Sequence, residues 1–271
     1  MSRPVDLIRA SDLPRHEAER LLVVASGLSR VELLAIPEVD GEAALRFEML
    51  VVQRREGVPL QYLERTVQFG PLELLADHRA LIPRPETEQL WERVVSLVGD
   101  GPADVIVDLC TGSGNLALSL KHEFPGASVY GTDISVAAVS LARHNSAITQ
   151  VDVTWLQGDL FDPLPSDLRG RVDVIVANPP YIAADDFESL PREVREHEPF
   201  GALVSGPAGD EVLTRIAAQA GEWLRPGGLV ACEIGEQQGG RALALFTDLD
   251  PFIEQDLTGR DRFVFCRRRF G

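Results

Sequence analysis

The sequence predicts an α/β protein: a doubly wound, mostly parallel sheet preceded by a small helical region. Three observations predict it. From about residue 103 to the end, short apolar runs alternate with segments of helical period, the pattern of strands joined by crossover helices. Before residue 58 the apolar spacing is helical throughout. The run Val172-Asp173-Val174-Ile175-Val176-Ala177 reads as a strand covered on both faces, as a parallel sheet requires.

Pro14 starts a helix running through Leu22 in its first turn, and Gly27 stops it. Ser29 caps a short helix through Leu34. Asp40 caps a third, in which Ala44, Leu45, Phe47, Leu50, Val51 and Val52 follow a mostly helical period until Gly57. This region carries no visible catalytic group and reads as a packing or docking module. From Gln61 to Leu81 the pattern shortens and alternates about Gly70-Pro71, a hairpin linker.

The stretch Leu81-Ile82-Pro83-Arg84-Pro85-Glu86-Thr87-Glu88 comes next. Its prolines force an extended approach, and Glu86 and Glu88 suit the first turn of a helix, with Arg84 held between the prolines. Strands are expected at 104–109, 128–133, 151–156, 172–177, 229–234, 252–256 and 262–267. Only Leu257 to Asp261 join the last two, too short for a parallel crossover, so the sheet ends in an antiparallel hairpin. The division is a helical domain at 1–58, a linker at 59–85 and the main domain at 86–271.

A chain of 271 residues, 45% apolar, can bury a sizeable core. Its net charge of −16 argues against broad contact with a phosphate backbone and fits a protein or small-molecule partner better. No apolar run reaches the length of a membrane span and the N-terminus lacks a signal-peptide core, so a cytoplasmic protein is expected. The 3 cysteines and 5 histidines are scattered without ligand spacing; reduced thiols and no metal are expected.

Two motifs carry chemistry. The loop Asp108-Leu109-Cys110-Thr111-Gly112-Ser113-Gly114 follows the first sheet strand and opens a helix, with Gly112 and Gly114 allowing a tight turn and close approach to a ligand. Asp133 ends the next strand, where a carboxylate can accept both ribose hydroxyls of an adenosine. The spacing Gly112-x-Gly114-x-x-Ala117 with Asp133 fits a dinucleotide as well as S-adenosylmethionine. Asp108 tilts the choice: a carboxylate there can meet the cationic methionine end, directly or through water, and would crowd a pyrophosphate. Asp159 and Phe161, at the end of the third strand, suit an adenine edge and face.

The second motif is Asn178-Pro179-Pro180-Tyr181, a rigid corner closing the fourth strand. Its prolines have no N–H, so it presents an Asn oxygen and backbone carbonyls with few donors nearby, beside an aromatic ring. Such a corner accepts hydrogen bonds from an NH₂ group. It fits methyl transfer to an amide or exocyclic amine, whose nitrogen needs positioning because its lone pair is delocalised. A strand closed by a Pro-Pro turn is the plainer alternative.

Together, the stretch from Leu81 to Glu88, Thr111-Gly112-Ser113-Gly114 and Asn178-Pro179-Pro180-Tyr181 resemble the HemK/PrmC enzymes. The resemblance spans nearly the whole chain, including Glu198-Pro199, Pro226-Gly227-Gly228, Glu233-Ile234-Gly235 and Asp261-Arg262. It implies a class I (Rossmann-like) methyltransferase fold with strand order 3-2-1-4-5-7-6. The implied activity is S-adenosylmethionine-dependent methylation of the glutamine side-chain nitrogen in the Gly-Gly-Gln motif of class 1 peptide chain release factors, with S-adenosylhomocysteine as product.

By position, cofactor contacts fall on Cys110–Gly114, Asp133, Phe161 and Asn178; substrate contacts fall on Asn178, Pro179, Pro180 and Tyr181. Arg84 joins them as a substrate-side candidate, and Asn178, Pro179 and Tyr181 as the catalytic group. A monomer without nucleic acid or membrane contact is expected. Cys110 and Arg65 stand where glycine is usual in the family, and one extra residue precedes Glu198. The corner alone is shared with adenine and guanine N-methyltransferases, which leaves a nucleic-acid methyltransferase as the alternative. An NAD-dependent oxidoreductase rests on the glycine loop only.

Overall fold

The computed structural model describes residues 2–99, 101 and 103–269. Met1, Asp100, Pro102, Phe270 and Gly271, which the expected domain ranges include, lie outside the described residues. The chain separates into two compact units, Met1–Val67 with Pro191–His197, and Gln68–Leu190 with Glu198–Gly271.

The first unit holds α1 (Pro4–Ala10), α2 (Arg15–Ser26), α3 (Arg30–Ala35), α4 (Gly41–Arg55) and α5 (Leu60–Glu64). Leu21, Leu22, Phe47, Val51 and Leu63 form part of its shared core. The expected caps are present. Gly27 ends α2 with φ 69°, and Ser29 and Glu32 form a reciprocal capping box at α3. The Asp40 carboxylate accepts from the Glu42 and Ala43 amides at the start of α4. Pro14 is the N-cap of α2 rather than its first helical residue.

Helix α5 departs from the expected alternation. Leu60 and Leu63, three apart, both reach the core, and a helical turn achieves this where a strand would send them to opposite faces. Arg54 donates through Nε to Glu17 (2.6 Å) and through Nη1 to Glu193 (2.9 Å), tying in the segment Pro191–His197.

A hairpin of β1 (Thr66–Phe69) and β2 (Leu72–Leu75) turns at Gly70-Pro71 as expected. Then come α6 (Pro85–Val98), β3 (Val105–Leu109), α7 (Asn115–Glu123), β4 (Ser128–Asp133), α8 (Val136–Thr149), β5 (Thr154–Gln157) and β6 (Val172–Ala177). After β6 lie β7 (Ile182–Ala183), α9 (Arg192–His197, in the first unit), α10 (Phe200–Leu203), β8 (Val204–Gly206) and α11 (Glu211–Trp223). The chain continues through β9 (Leu224–Glu233), α12 (Gly239–Leu245), β10 (Asp250–Gln255) and β11 (Asp261–Arg267).

The main sheet has the order β10-β11-β9-β6-β3-β4-β5, the order implied by the resemblance read from its other edge. It is parallel from β9 to β5 and closes with the antiparallel hairpin β10–β11. β5 begins at Thr154, later than expected. β9 begins at Leu224, earlier, with an irregular register against β6. All residues of β3 and β6 are buried. The chain winds from β3 to β4 and β5 on one side and through β6 on the other, so a crevice opens at their carboxyl ends.

Arg65 (φ 62°) and Cys110 (φ 56°) are left-handed although neither is glycine. These are the two positions where the resembled family usually has glycine. The left-handed region crowds a Cβ against the carbonyl, at roughly 1–2 kcal/mol. Arg65 is exposed, so Arg65→Gly is expected to raise the unfolding free energy by about 0.5–1 kcal/mol, net of glycine's larger unfolded entropy. Urea denaturation should show a higher midpoint at unchanged slope. An unchanged or lower midpoint would contradict the strain at this position.

Candidate active site

The β3–α7 loop is held from below. Asp108, 1% exposed, accepts on Oδ2 from the Thr111 hydroxyl (2.5 Å) and from the Ala117 amide (3.1 Å). Its Oδ1 has no partner among the described residues. Burial pushes its carboxyl up to about 7, against the opposing effect of those donors. Thr111 also hangs its amide on the Thr132 carbonyl (2.9 Å). On α8, Asn145 donates through Nδ2 to the Ser113 carbonyl (2.9 Å) and accepts on Oδ1 from the Leu75 amide (2.7 Å), bracing the loop against β2.

The glycines have different duties. Gly112 lines the cavity, and a Cβ there would meet nothing closer than Ala80 at 3.8 Å. A Cβ on Gly114 would sit 2.7 Å from the Trp155 ring, and one on Gly131 2.4 Å from it. Gly114 therefore serves packing of the loop on the indole, not approach to a ligand.

Above the carboxyl edge lies a cavity of about 340 Å³. Cys110, Thr111, Gly112, Ser113, Asp133, Asp159, Asn178 and Pro180 of the expected residues line it. Asp133 accepts from the Gly112 amide (2.9 Å) and the Ser135 amide (2.8 Å), one on each oxygen, leaving each oxygen capacity for another donor. Burial raises its carboxyl above the ordinary value despite those amides. Asp159 pairs with Arg215 of α11 (2.5 Å).

Asp108, Gly114, Phe161, Pro179, Tyr181 and Arg84 do not line this cavity. Asp108 acts on the loop through Thr111 and Ala117, and stands behind the wall rather than in it. Phe161 turns inward and stacks on Trp223 (5.6 Å between centroids), because Leu160 adopts φ 46° and takes the place at the wall. Arg84 is ion-paired to the buried Glu198, whose other oxygen accepts from the Ile82 amide (3.2 Å), so it fastens the Pro-Arg-Pro segment.

At the corner, Asn178 Nδ2 donates to Thr87 Oγ1 (2.9 Å), and Thr87 Oγ1 donates to Glu233 Oε2 (2.7 Å). Tyr181 OH donates to Glu233 Oε1 (3.3 Å). Asn178 Oδ1 accepts from no described donor. The corner backbone is held separately: Gln238 Nε2 donates to the Tyr181 and Gly209 carbonyls (3.2 and 3.0 Å). Thr87 and Glu233 had no role assignable from sequence. They lie 91 and 52 residues from their corner partners Asn178 and Tyr181, beyond any local spacing rule.

The donor set fits an adenosine with a cationic tail. Asp133 offers paired acceptors, the Gly112 backbone lies open to the cavity, and Asp108, whose Oδ1 has no partner among the described residues, stands behind Cys110 and Thr111, where a bound cation would favour its ionised form. Among the described residues, no group of His, Cys, Asp or Glu could hold a metal ion.

Two family descriptions match: "PrmC N-terminal domain" over residues 5–64 and "Methyltransferase small domain" over residues 92–192. The chain is 43% identical over 260 residues to a release factor glutamine methyltransferase of Mycolicibacterium smegmatis, covering 94% of this chain and 91% of the relative. It is 41% identical over 265 residues to one from Moorella thermoacetica, at 94% and 92% coverage. A T. thermophilus 16S rRNA methyltransferase, solved with AdoMet and guanosine, shares the fold at TM-score 0.54 and 19% identity, covering 75% of this chain and 50% of that one. With near-complete coverage on both sides and the corner and loop in place, the chain belongs to the release factor glutamine methyltransferase family.

Proposed function

We propose that this protein transfers a methyl group directly from S-adenosylmethionine to the side-chain nitrogen of the glutamine in the Gly-Gly-Gln motif of class 1 release factors. The observation that carries this reading is Asn178 at the wall of the cavity: its nitrogen is engaged by Thr87, and its oxygen accepts from no donor among the described residues.

S-adenosylmethionine supplies an activated, electrophilic methyl group when bound. Asp133 would hold the ribose hydroxyls, and the Cys110–Ser113 loop would carry the methionine end. Asn178 Oδ1 and the Pro179 carbonyl accept the two amide hydrogens of the substrate glutamine. This orients its nitrogen and favours electron density there as it attacks. Tyr181, whose hydroxyl is held by Glu233, would pack beside the amide at the corner, outside the cavity lining. Burial, with the neighbouring Glu233 charge, pushes its phenol well above the usual range, so it stays neutral. No general base is needed before attack, because the methylated amide releases its extra proton to water.

A nucleic-acid substrate fits less well. The net charge of −16 provides no broad basic surface for a phosphate backbone. The first unit is the proposed docking module for the release factor. It presents a groove of about 370 Å³ lined in part by Val24, Met49 and Leu50, with Met49 67% exposed.

Incubation with labelled S-adenosylmethionine should label a release factor at the glutamine and leave DNA and ribosomal proteins unlabelled. The reverse pattern would reject the reading. Asn178→Ala should lower kcat on the release factor by about 10²–10³ while most of the cofactor affinity remains. Near-wild-type turnover would mean that Asn178 only shapes the Pro-Pro turn. Calorimetry of Asp133→Ala should show cofactor binding weakened by about 1.5–3 kcal/mol, and unchanged affinity would remove the ribose assignment. Met49→Asp should raise KM several-fold for the intact release factor and not for a short Gly-Gly-Gln peptide. Equal effects on both would place docking elsewhere.

A further inference from the structure

The corner is oriented by Thr87, which lines the cavity beside Asn178, and by Glu233, which does not line it. Thr87, in the first turn of α6, is 1% exposed. Glu233, at the end of β9, is also 1% exposed and lies beside the corner because Ala177 of β6 is in register with Cys232. A hydroxyl has a single hydrogen. Thr87 gives its hydrogen to Glu233 Oε2 at 2.7 Å, so it can meet Asn178 only with a lone pair. Asn178 must therefore turn its NH₂ toward Thr87, at 2.9 Å, and its oxygen toward the cavity. Were the hydroxyl hydrogen to point the other way, the amide would turn over and present donors to a substrate that also presents donors.

We propose that Glu233, acting through Thr87, is a positioning residue for methyl transfer that fixes which face of the Asn178 amide meets the substrate. This rests on the reading that Asn178 accepts from the substrate amide. No contact between Glu233 and the substrate is required.

The state of the carboxyl matters. Ionised, Glu233 accepts from Thr87 and Tyr181 at once. Protonated, it must donate through one oxygen, and one of the two hydroxyls loses its acceptor. The groups around it oppose one another. Burial raises its pKa to about 7, and Glu86 of α6 adds to that. Thr87, Arg262 of β11 and Tyr181 work against it. Arg262 is engaged in turn, donating to the Ile234 carbonyl (3.2 Å) and lying 3.7 Å from Asp256. Because the ionised form is the ordering one, turnover falls as pH drops through the folded-state pKa and recovers above it.

The test is kcat, at saturating cofactor and release factor, from pH 6 to 8.5 for wild type, Glu233→Gln, Thr87→Val, Thr87→Ser and the Glu233→Gln/Thr87→Val double variant, with cofactor Kd and Tm for each. Wild type should gain turnover with a midpoint near 7. Glu233→Gln, which imitates the protonated carboxyl, should be about tenfold slower at high pH and show a smaller step, since Asp108, also pushed up to about 7, still titrates. Thr87→Val should lose about tenfold in kcat with cofactor Kd unchanged, and Thr87→Ser should restore most of it. The double variant should be no slower than Thr87→Val, since both act on one chain of hydrogen bonds.

Full turnover in Thr87→Val, a pH step in Glu233→Gln as large as that of wild type, or additive losses in the double variant would each overturn the inference. If Asn178→Ala turns over normally on the same release factor, the reading of the corner fails instead, so the two failures are distinguishable.

Discussion

The hydrogen bond from Asn178 to Thr87 joins two segments that sequence keeps far apart: the first turn of α6 and the corner after β6. Its direction is set by Glu233 at the end of β9, the parallel neighbour of β6. Helix start, strand end and neighbouring strand thus converge at one carboxyl edge. The arrangement needs both prolines of the corner, which bring no donors of their own, and the prolines at 83 and 85, which deliver α6 in an extended approach. Arg84, paired with Glu198, fastens that approach from the outside.

Charge in the site is held at unusual positions. Asp108 and Glu233 are both almost fully buried, and burial pushes each up to about 7. Their partners differ in kind. Asp108 accepts from a hydroxyl and a backbone amide and keeps the cofactor loop closed over α7. Glu233 accepts from two hydroxyls and keeps the substrate corner oriented. One buried carboxyl stands behind each half of the reaction, and neither reaches the cavity.

The parts readable from sequence were those whose cause is local. Buried strands announce themselves as apolar runs, so β4 and β6 fall at the expected residues, Ser128–Asp133 and Val172–Ala177. Ser29, Asp40 and Gly27 show their caps in a few neighbouring positions. The turn Leu257–Asp261 is too short for any connection but a hairpin, and β10–β11 is one. Helix α5 was not readable because Leu60 and Leu63 sit in a segment too brief to separate a helical period from an alternating one.

In the site, the loop and Asn178 were legible as motifs, but their supports were not. Asn145 reaches Leu75 and Ser113, Trp155 fills the space that Gly114 and Gly131 leave, and Glu233 reaches Thr87 only through the fold. Phe161 shows the opposite error. Its place after Asp159 suggested a wall for adenine, and a left-handed Leu160 turned it into the core against Trp223.

Neutron diffraction from a deuterium-exchanged crystal, with S-adenosylhomocysteine and a Gly-Gly-Gln peptide bound, tests the oriented corner most directly. The expected result is a Thr87 deuteron directed at Glu233, the two Asn178 side-chain deuterons on the atom facing Thr87, and a deuteron of the substrate amide directed at Asn178 Oδ1. Asn178 presenting its deuterated nitrogen to the substrate, with its oxygen toward Thr87, would contradict it.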